Sequence, residues 1–294
     1  MSAPPPPAPL LPEPQRAALA CPDGETLLLR RLPASGPGPA RAAVVLVHGL
    51  GEHAGRHHGL AERLHRWGFA VWAHDHHGHG GSSGARGGLP TGLRLVDDLG
   101  RVIDDARAAN PGLPLVVLGH SLGGLVAASL VARGVRPVDG LVLSSPDLEP
   151  VLSPFQKLLL AVLPRIAPRL RVRNGIDPGD LSHDPVVARA YRDDPLTHDR
   201  VGSHLARFLA FEGATVQGAA PSWPVPTLLL YAGSDRLVRP AASRDFALAA
   251  APTGRVEAHC FESLYHEIFN ELDAEPVFDA LRRWFDARFP APVG

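Results

Sequence analysis

The chain has 294 residues, enough for one large α/β domain with an insertion or for two small domains, and 45% of them are hydrophobic. Its net charge of −1, without any long basic run, argues against nucleic acid or an anionic membrane as a partner. The two cysteines, Cys21 and Cys260, are too few for a disulfide framework and match no metal-ligand spacing, so we expect a cytoplasmic protein.

Residues 1–20 are rich in proline and predict a disordered leader. Repeated prolines interrupt residues 3–14, no basic start precedes them, and no apolar stretch has the length of a signal peptide. No segment approaches the roughly 18 uninterrupted apolar residues of a membrane span. We therefore expect neither a signal peptide nor a transmembrane helix.

After the leader, short apolar runs of β-prone residues alternate with longer helical stretches. Strands are predicted at 27–32, 43–47, 69–73, 114–118, 138–143, 227–231 and 256–260, and helices at 55–67, 93–109, 122–133, 241–250 and 276–288. Continuous apolar strands separated by helices predict a mostly parallel sheet that helices cover on both faces.

The alternation stops between residues 147 and 221. This segment contains several prolines, no clear strand, and helical pieces such as 155–162 and 186–191. Because the strand–helix rhythm resumes after it, we interpret the segment as a helical cap inserted into one sheet domain. The two parts of that domain are then residues 21–146 and 222–294.

The run Gly119-His120-Ser121-Leu122-Gly123 lies between a predicted strand and a predicted helix. A Gly-x-Ser-x-Gly in that context is a nucleophile elbow, in which a tight turn flanked by small residues lifts the serine hydroxyl into an open cleft. The free amides at the start of the helix face charge that develops near that hydroxyl. Ser121 is therefore the predicted nucleophile.

A nucleophilic serine needs an adjacent base, and the base needs a group that orients it. In a parallel sheet such groups meet just beyond the carboxyl ends of the strands. Asp235 and His266 each follow a predicted strand, and the order Ser, Asp, His is that of α/β-hydrolases. The pattern predicts a triad of Ser121, Asp235 and His266, with Asp147, beyond another strand end, as the alternative acid.

Two backbone amides must hold the oxyanion of an acyl-transfer reaction. One predicted donor is Leu122, the residue after the nucleophile. The other is Leu50, in the loop at 48–51, because the glycine before it permits the required turn. The polar residues that follow are predicted to brace this loop as a network: Glu52, His53 and Arg56.

Five runs of the sequence resemble the signature runs of the monoacylglycerol lipase/lysophospholipase family. They are HGLGEH at 48–53, DHHGHGGS at 75–82, GHSLGG at 119–124, GSDR at 233–236 and YHE at 265–267. The likeness extends from about residue 23 to residue 289 and includes LSHDP at 181–185 and YRDDPL at 191–196. The resemblance implies an α/β-hydrolase fold with a helical cap and the hydrolysis of a glycerol ester of a fatty acid.

Two positions depart from the pattern of that family. Leu122 stands where the family often has methionine, which leaves the backbone amide available as a donor. Ser263 stands where the family usually has glycine, three residues before the histidine, so the loop that carries His266 is free to adopt a different setting.

The most apolar part of the insertion, residues 151–164, is apolar on more than one face. Part of it is expected to pack on the core. An acyl chain between cap and core, or transient contact with a membrane surface, would cover the rest. The predicted substrate contacts are Phe155, Leu159, His53 and Tyr191, the last matching a cap tyrosine that faces the polar head of the substrate in the family, with core packing as its alternative.

Two other patterns compete with the hydrolase interpretation. Gly49-x-Gly51-x-x-Ala54, followed by Asp75, imitates a dinucleotide fingerprint but leaves the Ser, Asp and His positions unexplained. The histidine-rich run at 74–79 suggests a metal, yet adjacent loop histidines seldom converge on one ion. We therefore predict no cofactor and no metal.

The sequence thus predicts a serine hydrolase that cleaves carboxylic esters of single-chain lipids, with monoacylglycerol as the expected substrate and no nucleic-acid partner. The alternatives are a lysophospholipase, a general carboxylesterase, a proline-type aminopeptidase and a non-catalytic binder on the same scaffold. A peptidase would need a carboxylate in the cap for the amino terminus of its substrate, and Glu149, Asp180 and Asp184 are the candidates.

Overall fold

The computed structural model describes residues 13–34, 40–149 and 153–291. The strands in these ranges are β1 (Gln15–Ala20), β2 (Thr26–Leu32), β3 (Ala43–Val47), β4 (Ala70–His74), β5 (Leu115–His120), β6 (Gly140–Ser144), β7 (Arg171–Arg173), β8 (Arg200–Gly202), β9 (Thr227–Ala232) and β10 (Val256–Phe261). The helices are α1 (His58–Arg66), α2 (Arg94–Ala109), α3 (Leu122–Ala132), α4 (Pro154–Ile166), α5 (Pro185–Asp193), α6 (Ser203–Ala219), α7 (Pro240–Ala250) and α8 (Glu275–Arg288).

One sheet organises the chain, with the strand order β1-β2-β4-β3-β5-β6-β9-β10. The six strands from β4 to β10 in this order run parallel, and β1 and β2 are antiparallel at one edge. Strands β3 to β6 are buried along their whole length, because α2 and α3 pack on one face and α1 and α8 on the other. The predicted α/β-hydrolase fold is confirmed.

The predicted disordered leader is wrong for residues 15–20, which form β1. This strand pairs with β2 from Gln15 opposite Arg31 to Ala20 opposite Thr26. Its sequence has no β-branched or aromatic residue, and the unpaired edge of β2 supplies the hydrogen bonds that make it a strand. Residues 1–12 of the predicted leader lie outside the described residues.

The described part of the segment between β6 and β9 contains the helices α4, α5 and α6 and a pair of short strands. The prediction of no strand there is wrong, because β7 and β8 pair in antiparallel fashion with Val172 opposite Val201. Helix α6 was not predicted, and it packs along α3, where the buried carboxylate of Glu212 accepts hydrogen bonds from Ser129 (2.5 Å) and Arg133 (2.7 Å). The division into cap and hydrolase domains stays a prediction.

Local sequence signals explain where two of the inserted helices begin. At α4, Ser153 accepts from the Gln156 amide (3.3 Å) while the Gln156 side chain accepts from the Ser153 amide (2.9 Å), which makes a capping box. At α5, the Asp184 carboxylate accepts from the Val186 amide (2.9 Å), with a proline at the first helical position. Within the described ranges, every helix is too short or too polar to cross a bilayer.

Candidate active site

Ser121 occupies the sharp turn between β5 and α3, with φ 54° and ψ −120°. This conformation is strained for a residue with a side chain, and it persists because the surrounding structure leaves no alternative. A Cβ at Gly119 would collide with the carbonyl oxygen of Gly123, and one at Gly123 would collide with that of Val47. The two glycines of the pentapeptide are therefore required by the close approach of three backbone segments.

His266 and Asp235 form a buried pair. The Nδ1 atom of His266 lies 2.7 Å from Oδ2 of Asp235, and both side chains are less than 5% exposed. The other carboxylate oxygen accepts from the amides of Leu237 (2.9 Å) and Val238 (3.0 Å), which hold the carboxylate in the turn after β9. This partner assigns the proton to Nδ1 and leaves Nε2 of His266 as an acceptor.

The Asp235 carboxylate also adjusts the basicity of His266. Burial opposes the charged form of the imidazole, but the charge and hydrogen bond of Asp235 outweigh it and raise the pKa of His266 above its ordinary value. The alternative acid, Asp147, lines the same cavity as His266 and makes no side-chain hydrogen bond within the described residues. Burial raises the pKa of the Asp147 carboxyl to about 6.

A polar network lies beneath the loop that follows β3. The carboxylate of Glu52 accepts from the amide of Gly49 (2.5 Å), from Arg56 (3.0 Å) and from Nε2 of His57 (2.9 Å). Arg56 also makes two hydrogen bonds to Glu267, of 2.8 and 3.1 Å. Because Glu267 follows His266 in the chain, this network connects the loop at Gly49 with the loop that carries the histidine.

The network keeps a buried carboxylate charged. Burial opposes the charged form of Glu52, yet His57 and Arg56 hold its pKa well below the usual range.

Asp75, the acidic residue of the competing dinucleotide pattern, has a structural role in this fold. Its carboxylate accepts from the amides of Ala54 (2.9 Å) and Gly81 (2.8 Å).

A cavity of about 410 Å³ lies over the elbow, and Ser121, Leu122, Leu50 and His266 all line it. One part of its wall is apolar and is formed by the inserted segment and the turn after β9: Leu160, Leu181, Val201, Leu209, Leu237 and Val238. Its polar lining includes Gly49, Glu52, Asn174, Tyr191 and Glu267. The cavity can therefore receive a molecule with an apolar chain and a polar end, with the reacting bond near Ser121.

Of the four predicted substrate contacts, the structure brings only Tyr191 to the cavity. His53 is not among the described residues that line the cavity: its Nε2 atom lies 2.8 Å from the Asp194 carboxylate, which ties the loop after β3 to the inserted segment. Phe155 and Leu159 also lie outside the described lining, with side chains that are 73% and 44% exposed, and the face of α4 that reaches the cavity carries Leu160.

Glu267 and Asn174 are among the cavity residues that the sequence did not single out. Glu267 stands next to His266 in the YHE motif, and this adjacency was the available signal. Asn174 follows a three-residue strand that no local pattern predicted, so nothing in the sequence around it pointed to the site.

The histidine-rich run forms a buried row of rings with a structural place in the fold. Ring centroids lie 4.3 Å apart for His48 and His76, 5.0 Å for His74 and His76, and 4.5 Å for His79 and His198. Burial lowers the pKa of His74 to about 4 and holds those of His48, His76 and His79 well below the ordinary value. No group of three His, Cys, Asp or Glu side chains in the described part of the chain is arranged to hold a metal ion.

Comparison with known proteins identifies the family of this chain. Residues 38–273 match the model of the Hydrolase_4 family, described as serine aminopeptidase, S33. A monoacylglycerol lipase of Mycolicibacterium smegmatis is 35% identical over 83% of this chain and 88% of its own length. The phospholipase YtpA of Bacillus subtilis is 34% identical over 83% of this chain and 95% of its own length.

A solved structure is also similar to this chain in sequence and fold. The crystal structure of a monoacylglycerol lipase from Paleococcus ferrophilus is 34% identical, covers 89% of this chain and 99% of its own, and superposes with a TM-score of 0.79. The fold and the elbow define the protein as an α/β-hydrolase and a serine ester hydrolase. The chain belongs to the Hydrolase_4 family and, within it, to the family of the monoacylglycerol lipases.

Proposed function

We propose that this chain hydrolyses the carboxylic ester of monoacylglycerol to a fatty acid and glycerol, through an acyl-enzyme. The observation that carries the proposal is the buried hydrogen bond between His266 and Asp235, at a cavity that Ser121 and Leu122 also line. A binder without catalysis has no need of a strained serine and an oriented imidazole in one cavity. The relatives named monoacylglycerol lipase support the choice of substrate.

The catalytic roles follow from the chemistry of the groups. Ser121 attacks the ester carbonyl while Nε2 of His266 takes its proton, and Asp235 stabilises the imidazolium. The amides of Leu50 and Leu122 hold the oxyanion of the tetrahedral intermediate. The protonated His266 then gives its proton to the leaving alcohol, and a water molecule activated by the same imidazole hydrolyses the acyl-enzyme. None of these steps needs a metal or an organic cofactor.

The apolar and the polar parts of the cavity lining indicate where the acyl chain and the glycerol of the substrate would bind. The acyl chain lies along the apolar wall, which includes Leu160 and Leu209, and the glycerol lies at the end that includes Tyr191 and Glu52. Each methylene buried on the apolar wall contributes roughly 0.8 kcal/mol, so the length of that wall sets the preferred chain length.

The aminopeptidase alternative has little support from the three candidate carboxylates. Glu149 lies 3.0 Å from Arg239 and Asp180 lies 3.2 Å from Arg236, while Asp184 caps α5. Each is engaged in the fold, and none of the three lines the cavity in the described part of the chain. A lysophospholipase remains the second candidate, because the relative from Bacillus subtilis is named a phospholipase.

We also propose that α4 touches a membrane surface transiently, in a protein of the cytoplasm. One face of this helix exposes apolar side chains at helical spacing, among them Phe155 (73%), Leu158 (64%) and Ile166 (71%). Cosedimentation with phosphatidylcholine vesicles tests this, with a Phe155→Ser/Ile166→Ser variant expected to bind less. Leu272→Ser, which removes an equally exposed leucine far along the chain, is the control. Equal binding by all three proteins would contradict the contact.

The experiment that tests the chemistry is a rate series on p-nitrophenyl esters from acetyl to palmitoyl, with monooleoylglycerol and lysophosphatidylcholine alongside. We expect hydrolysis of monooleoylglycerol that is lost in Ser121→Ala, and a chain-length optimum that reports the apolar wall. A folded wild-type protein that hydrolyses none of these esters would refute the proposal. Faster turnover of lysophosphatidylcholine than of monooleoylglycerol would favour the lysophospholipase.

A further inference from the structure

Two polar atoms at the polar end of the cavity have no hydrogen-bond partner among the residues that the structure describes. They are the hydroxyl of Tyr191 and the side-chain nitrogen Nδ2 of Asn174, both buried, and both residues line the cavity. Buried polar groups are nearly always satisfied, so each orphan needs an explanation. Both come from the inserted segment and lie against the loop after β3.

The two atoms converge on one place. A Cβ built on Gly51, whose φ is +76°, would lie 2.7 Å from the Tyr191 hydroxyl and 3.1 Å from Nδ2 of Asn174. Gly51 is the residue after Leu50, the proposed oxyanion donor. Both unpartnered atoms therefore lie against the loop that carries the proposed oxyanion donor, and Tyr191 and Asn174 line the cavity beside it.

The orientation of the Asn174 amide is set by its other contacts. Its oxygen Oδ1 accepts from the amide of Ile176 (3.0 Å), and its own backbone amide donates to the carbonyl of Asp199 (2.7 Å). Because the oxygen is committed to this turn, the nitrogen is the atom left for another partner, and it can only donate.

Tyr191 is held just as firmly. Its ring packs on the guanidinium of Arg56, with 4.8 Å from the carbon Cζ to the ring centroid, and its carbonyl accepts from the hydroxyl of Thr197 (2.8 Å). A fixed hydroxyl can both donate and accept, so beside the Asn174 donor it suits a group with the same dual character. An alcohol hydroxyl is such a group.

The charges nearby favour a neutral partner over a phosphate. Arg56 is already shared between Glu52 and Glu267. Arg236, which also lines the cavity, is paired with Asp180. Both guanidinium groups are thus committed to carboxylates, and a phosphodiester would have to compete with them for charge-assisted hydrogen bonds.

We propose that Asn174 is a specificity-determining residue, which together with Tyr191 binds hydroxyl groups of the alcohol part of the ester and so selects esters of polyols. The inference rests on the proposed function, since it names how that site chooses its substrate. A site built to hydrogen-bond a substrate hydroxyl discriminates against an analogue that lacks it, because its polar groups then stay unpaired.

The test uses three oleoyl esters whose alcohol carries no, one or two free hydroxyls: methyl oleate, ethylene glycol monooleate and 1-monooleoylglycerol. We expect kcat/KM of the wild type to rise along this series. In Asn174→Ser and Asn174→Ala, the ratio of kcat/KM for the glycerol ester to that for the methyl ester should fall about 5- to 10-fold, the effect of one hydrogen bond. Tyr191→Phe should lower the same ratio.

The serine variant guards against a loss of folding, because its short hydroxyl can still accept from the Ile176 amide. Asn110→Ser is the matched control, since Asn110 ends α2 with its side chain on the Ala106 carbonyl and does not line the cavity. It should leave the ratio unchanged.

The outcomes separate the two proposals. If the Asn174 variants lose activity equally on all three esters, Asn174 only supports the fold and the inference is overturned. If the wild type hydrolyses all three esters at similar efficiency, the ester hydrolase stands but polyol selection does not. If it hydrolyses none of them, the proposed function itself is wrong.

Discussion

Replacement of His74 by leucine tests how strongly the buried histidine row couples stability to pH. His74 ends β4 with its side chain completely buried, and neither ring nitrogen has a hydrogen-bond partner among the described residues. Burial lowers its pKa to about 4 from an ordinary value of 6.5. The imidazole is therefore neutral in the folded chain, while the unfolded chain binds a proton as the pH falls through 6.5.

The sign and size of the effect follow from this difference. Stability is complete above the ordinary pKa and is lost as the pH falls toward 4, because the unfolded state binds the additional proton. At pH 5, pKa values of 6.5 and 4 make protonation favour the unfolded state by a factor of about 30, which is about 2 kcal/mol for His74 alone. Other buried members of the row, such as His48 and His76, add to the loss in the wild type.

Urea unfolding at pH 7.5 and at pH 5.0 measures the effect. The free energy of unfolding of the wild type should fall between the two pH values, and that of His74→Leu should fall by about 2 kcal/mol less. His58→Gln is the control, since the side chain of His58 is 56% exposed on α1 and should leave the difference almost unchanged. If His74→Leu and the wild type lose equal stability, the burial argument is refuted.

Four other changes test the site and its support. Because the pKa of His266 is raised above 6.5, the acid limb of kcat/KM should have its midpoint above pH 6.5, and a midpoint below 6 would contradict the assignment. Asp235→Asn should lower kcat about 10⁴-fold in a protein with an unchanged circular dichroism spectrum. A loss of less than tenfold would mean that Asp235 is not the acid of the triad. Gly123→Ala should lower the free energy of unfolding by about 2–3 kcal/mol, since the new Cβ meets the carbonyl of Val47, and should abolish ester hydrolysis; unchanged urea unfolding would disprove the collision. Glu212→Gln weakens the buried contacts between α3 and α6 and should lower the free energy of unfolding by about 1–2 kcal/mol in the same assay. An unchanged free energy of unfolding would mean that these contacts contribute little to stability.

Much of the sheet could be predicted because its signals are local. The strand predicted at 43–47 is β3 residue for residue, and those predicted at 27–32 and 256–260 differ from β2 and β10 by one residue at one end. Strand β3 is parallel and fully buried, and such a strand must be apolar throughout, so its sequence predicts it directly. Strands β2 and β10 are only partly buried, and their short runs of β-prone residues predicted them. The glycines around Ser121 predicted the nucleophile elbow, because only residues without a side chain fit at those positions.

Elements that depend on distant partners could not be predicted. Strand β1 has an unremarkable sequence and exists because β2 offers a free edge, and β7 and β8 are three-residue strands that stabilise each other. Helix α6 has no single polar face, because one side packs on α3 while Leu209 and Ala210, on another side, line the cavity. Such elements are decided by pairing and packing across the fold.

The sequence by itself determined the α/β-hydrolase fold, the family, and the order of Ser121, Asp235 and His266, because short-range patterns encode strands, tight turns and strand ends. Only the tertiary structure decided that Asp235 and not Asp147 is hydrogen-bonded to His266, and which face of α4 reaches the cavity. It also brought Asn174 to Gly51, across more than a hundred residues of chain. Contacts between distant segments depend on how helices and loops pack, and no local pattern of residues specifies that packing.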